Sequence, residues 1–159
     1  MKAATVQDIK KELQQLPAKE LVEICLRLIK FKKDNKELLT YLLFEAHDEP
    51  AFIAAAKLEL DECMEQINLS HLYFAKKTLR KMGRIITKYA RYSGNKETEI
   101  QLRIYFCQQI RESGIPVRRN SVISNLYDQQ LKKVQTLLNS LHEDLQYEYQ
   151  REVTALEED

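Results

Sequence analysis

Residues Gln66–Lys96 read QINLSHLYFAKKTLRKMGRIITKYARYSGNK: thirty-one residues with no carboxylate and eight Lys or Arg. Apolar residues recur here every three or four positions and do not alternate, so the spacing predicts a helix and not a strand. On a helical wheel at about 100° per residue, Lys76, Arg80, Arg91, Arg84, Lys77, Lys88 and Lys81 share an arc of about 140° centred near Tyr73. Leu72, Phe74, Ala75, Leu79, Met82, Ile85, Ile86 and Tyr89 lie opposite. One face is built to pack and the other is continuously positive. Tyr73 stands among the charges and Tyr92 at their edge. Asn68 or Ser70 is expected to open this helix, and Gly94 to close it in the left-handed conformation.

The charge of this segment is hidden in the chain's total. The chain has 159 residues, 25 of them basic and 24 acidic, giving a net charge of +1; without the eight basic residues of this stretch, the remainder stands at −7. Such asymmetry points to a partner and not to a reaction. A polyanion would meet the positive face through salt-dependent counterion release. An acidic protein would be steered to it and held there. An anionic membrane surface fits less well, because the apolar side of the helix is needed for the core. A fourth account is internal. The preceding helix is acidic, and an antiparallel hairpin would set Glu59, Glu62 or Glu65 beside Lys76, Lys77 or Arg80, though such exposed pairs contribute only about 0–1 kcal/mol each.

The same helical period runs outward in both directions. Only 3 Gly and 3 Pro interrupt the chain, which favours long helices. Thr5 caps a first helix bearing Val6, Ile9, Leu13 and Leu16. Pro17 fits the first turn of a second, with Leu21, Ile24, Cys25, Leu28 and Phe31 as its inward stripe. Asp34 and Glu37, at capping-box spacing, start a third. Asp48-Glu49-Pro50 starts a fourth, over about Ala51 to Ile67. After the basic helix, Asn95 caps a sixth, apolar on most sides from Ile100 to Ile110 and so expected at the centre. A last helix is expected from about Ser121 to beyond Tyr149. Its Tyr127, Leu131, Val134, Leu138, Leu141 and Leu145 form a heptad seam of nearly three repeats. A faint echo, Asn35-Lys36-Glu37 and Asn95-Lys96-Glu97, suggests a duplicated helix pair.

The expected fold is therefore all-α, a single domain over 1–159. It has six to seven helices in antiparallel hairpins, forming a right-handed α–α superhelix of helical-repeat character or, alternatively, a closed bundle. The core spans about 5–150, and 151–159 is expected to be a frayed acidic tail. Cys25, Cys63 and Cys107 lie in no metal-ligand spacing and read as small buried thiols of a reduced cytoplasmic protein. The N-terminus has no apolar core of a signal peptide. His47, His71 and His142 form no paired-ligand motif; His47-Asp48-Glu49 reads as a cap and loop. Gln101 to Gln130 loosely resembles a helix-turn-helix, but its second helix is too long for a recognition helix. No phosphate loop or nucleophile elbow occurs. Catalytic, cofactor and metal residues are expected to be none. The expected function is non-enzymatic binding of an acidic protein partner through Tyr73, Lys76, Lys77, Arg80, Lys81, Arg84, Lys88 and Arg91, or, as the alternative, association of that face with nucleic acid.

Overall fold

A computed structural model describes residues 1–157, and these are helical almost throughout. Among the described residues there are eight α-helices, one or two more than the sequence predicts, and no strand. By internal contacts the chain divides into two compact units, Met1–Phe44 and Glu45–Asp159.

The first unit holds α1 (Val6–Gln15), α2 (Ala18–Phe31) and α3 (Lys33–Thr40), which runs on into a wider π turn, Tyr41–Glu45. Thr5 caps α1 as expected, its hydroxyl accepting from the Asp8 amide at 3.2 Å, while Pro17 stands at the α2 N-cap, one residue before the first turn. The expected start at Asp34 fails: α3 opens after Lys32, which makes no side-chain cap, and Asp34 lies within the helix. Helices α2 and α3 pack as a hairpin. Packing departs from expectation, however. No residue of α1, α2 or α3 is buried; Tyr41 alone in this unit is. The intended inward stripe of α2 is open to water, with Phe31 78 % exposed, and Cys25 is exposed as well. Asn35 does not open a helix as Asn95 does: it lies inside α3 and donates from Nδ2 to the Leu28 carbonyl at 2.9 Å. The two Asn-Lys-Glu words therefore play different structural roles.

The second unit carries the core. It holds α4 (Glu49–Glu65), α5 (Leu72–Ser93), α6 (Lys96–Glu112), a 3-10 turn Val117–Arg119, α7 (Ser121–Leu138) and α8 (Glu143–Glu157). Asp48 caps α4 by accepting from the Ala51 amide at 3.1 Å, and Asn95 caps α6 by accepting from Glu97 at 2.9 Å. Gly94 closes α5 at φ +65°, a backbone state that Gly adopts without penalty. Each helix packs against the next and the next but one, from α4·α5 and α4·α6 through to α6·α8 and α7·α8. Helix α6 is the middle of this array, as its sequence predicts: Ile100, Leu102, Ile104, Phe106, Cys107 and Ile110 are all buried.

Two expectations for the C-terminal part fail. The heptad seam is broken after Leu138, where Asn139 and Ser140 turn the chain before α8. Asn139 and Ser140 prefer turn conformations, and this local preference overrides the apolar period that continues through Leu141 and Leu145. The expected fray from 151 is instead the end of α8. Val153 and Leu156 are buried in the core, and the Tyr127 hydroxyl donates to the Leu156 carbonyl at 2.9 Å. Glu158 and Asp159 lie outside the described residues.

Candidate interaction surface on the basic helix

From Ala75 onward helix α5 sorts its residues as the wheel predicts, while Leu72 and Phe74, expected on the packing face, are exposed. Ala75, Leu79, Met82, Ile85, Ile86 and Ala90 are buried. Lys77, Arg80, Lys81, Arg84 and Arg91 are exposed, and Lys76 and Lys88 are partly covered. Tyr73 is 73 % exposed and meets Phe74 edge-on at 5.5 Å. Phe74, Leu72 and His71 are exposed too, so the first turn of α5 is an open aromatic end and not part of the core. The chain opens α5 later than Asn68 or Ser70: the N-cap is His71, without a side-chain hydrogen bond.

The acids of α4 do not neutralise this face. Glu59 accepts from the Tyr89 hydroxyl at 2.7 Å, Asp61 from Tyr105, and Glu49 from the Ser93 and Thr98 hydroxyls. These carboxylates satisfy buried or half-buried hydroxyls of α5 and α6. Glu62 and Glu65 are exposed. Among the described residues no carboxylate stands within ion-pair distance of Lys76, Lys77, Arg80, Lys81, Arg84 or Arg91. Lys88 differs: its Nζ lies 5.3 Å from the centre of the Tyr89 ring and it has a further partner. Six cations therefore face water together, and their mutual repulsion is relieved only by solvent, salt or a partner.

Beside two of them the surface is concave. Leu79, Gly83, Phe106, Leu126 and Gln130 line a groove of about 460 Å³ between α5, α6 and α7, and Arg80 and Arg84 stand at its edge. Gly83 explains the opening. A Cβ placed there meets nothing within 4 Å, so the absent side chain leaves space that no neighbour fills. One wall is held by a buried charge. Arg103, 2 % exposed, donates to the Glu99 carboxylate one turn earlier and to the Gln130 side-chain oxygen on α7. Sequence reasoning passed over Arg103 because it counted the apolar residues around it. The available signal was an arginine inside an apolar run with Glu99 four residues before it.

The other candidates are absorbed by structure. Asp48 is a cap and Glu49 a hydroxyl acceptor, and no group of His, Cys, Asp and Glu among the described residues could hold a metal. Arg118, in the loosely helix-turn-helix-like segment, pairs with Asp128 at 2.8 Å. No helix among the described residues is long and apolar enough to cross a membrane. Comparison of the chain with protein families, with curated proteins and with solved structures finds no match.

Proposed function

We propose that the protein is a non-enzymatic interaction module whose α5 binds an acidic protein segment. The observation that carries this reading is the set of unpaired cations along α5 beside an apolar groove. A polyanion alone needs only the charges. The groove adds a place for an apolar side chain, with the partly exposed Leu126 at its side, the space left by Gly83 and the buried Leu79 and Phe106 beneath, and this suits an amphipathic helix with acids flanking one large apolar residue. Arg80 and Arg84 would pair with those acids, with Lys77, Lys81 and Arg91 extending the field that steers encounter.

The second reading, single-stranded nucleic acid, draws support from a separate observation: Tyr73 and Phe74 are exposed at the head of the basic stripe, where bases could stack. Fluorescence anisotropy with an acidic amphipathic peptide, duplex DNA and single-stranded RNA, each over a salt series, separates the two. The module reading expects peptide binding to survive moderate salt and to fall at least about tenfold in Gly83→Leu, which plugs the groove without changing charge. Nucleic-acid binding that is tighter than peptide binding, falls steeply with salt and ignores Gly83→Leu would replace it.

A further inference from the structure

The groove beside Arg80 and Arg84 contains a donor that no described residue uses. Gln130 on α7 lines that groove and is only 7 % exposed. Its side-chain oxygen is taken by the buried Arg103 guanidinium. Arginine offers donors and no acceptor, so the amide is held with its oxygen toward Arg103 and its NH2 group turned away. Among the described residues no acceptor meets that NH2 group. No buried side-chain nitrogen or oxygen among them lacks a partner, so Gln130 Nε2 still reaches water, and the open space it borders is the groove.

The other polar side chains at the groove are of the same kind. Arg80 and Arg84 border it from α5, and a guanidinium accepts nothing. The Arg84 Nε lies 3.4 Å from the Arg80 carbonyl, which folds that side chain back along α5 and leaves its terminal nitrogens outward. Every polar side chain available in the groove is therefore a donor, and two are charged. A purely apolar group laid over Gln130 would strip water from its NH2 group and return no bond. An amide or hydroxyl would satisfy Gln130 and leave the guanidiniums unpaired. A carboxylate answers both, because its two oxygens accept from several donors at once and bind guanidinium with charge assistance.

We infer that the groove holds one carboxylate side chain of the bound segment, received by Arg80 and Arg84 from α5 and by Gln130 Nε2 from α7. This rests on the acidic-segment reading and deepens it: one acid of the partner is read by position, and the others sense only the field. Heteronuclear NMR of the side-chain amide groups tests it, during titration with an acidic amphipathic peptide that carries one Leu flanked by Glu residues. The Gln130 signals are assigned by their loss in Gln130→Glu, a variant that keeps an acceptor for Arg103 and so should keep its thermal transition. The expected result is a saturating shift of the Gln130 signals, with the affinity that anisotropy gives. Changing the peptide's Glu residues to Gln one at a time should single out one position, where binding falls at least about tenfold and the shift disappears. Gln130→Glu should weaken the unchanged peptide by at least about tenfold and recover the peptide with Gln at that position, whose amide then donates across the groove. Peptide binding that leaves the Gln130 signals unmoved, or to which every Glu contributes alike, would overturn the inference and leave the module reading standing. Absence of peptide binding at low salt would end both.

Discussion

At the scale of single residues, the most consequential side chain outside the basic stripe is Arg103. It is a charge in the core whose partners are one largely covered carboxylate and one neutral amide. Arg103→Ala strands Gln130 and empties a large volume, and urea unfolding should show a loss of about 3–5 kcal/mol. Arg103→Met keeps most of the volume and should cost clearly less. Tyr105 gives a pH prediction. Partial burial and its hydrogen bond to Asp61 push the phenol up to about 12. The folded state thus favours the protonated form. Its contribution is fully present below the ordinary value near 10 and is lost as pH rises from there through about 12. A phenolate absorbance titration should show this tyrosine ionising well above the ordinary phenol range in the native protein and moving down in Asp61→Asn. Cys107 belongs to the same group: burial pushes its thiol up to about 12 against the pull of Arg103. At about pH 8 it should resist a thiol reagent until the protein unfolds. Arg103 and the exposed Cys25 were the residues composition misjudged, because apolar neighbours in sequence do not reveal which side of a helix finds a partner.

At the scale of elements, punctuation was legible and packing was only partly so. Asp48, Gly94 and Asn95 each mark a helix boundary through a local mechanism that needs no tertiary information, and each stands where the sequence places it, with Pro17 one residue before its expected place in the first turn of α2. The α5 wheel was legible for the same reason, with its buried and charged faces on opposite sides. The break between α7 and α8 was not, because the apolar seam runs unchanged past Leu138 and only Asn139 and Ser140 argue against it. Burial of Val153 and Leu156 makes α8 part of the core, so Leu156→Ala should lower stability by about 2–4 kcal/mol, where a frayed tail would show no change. Gly83 offers the reverse case. It sits within α5 in open space, so Gly83→Ala should raise the melting temperature, worth about 0.5–1 kcal/mol, with no clash to offset it.

At the scale of the whole molecule, the chain spends its apolar residues unevenly. The second unit buries them around α6, while the first leaves them on the surface; the periodic stripes of α1 and α2 announce an amphipathic helix but not what covers it. The charges are uneven too. Glu49, Glu59 and Asp61 of α4 are engaged by hydroxyls of α5 and α6, and the cations of α5 are left to the outside. That division is the centre of the account, and it is tested most directly by binding of an acidic amphipathic peptide to the natural chain and to Arg80→Glu with Arg84→Glu. The positive face predicts measurable binding to the natural chain and a loss of at least about a hundredfold on reversal, with the thermal transition unchanged. Equal binding by the two proteins, or none by either at low salt, would contradict it.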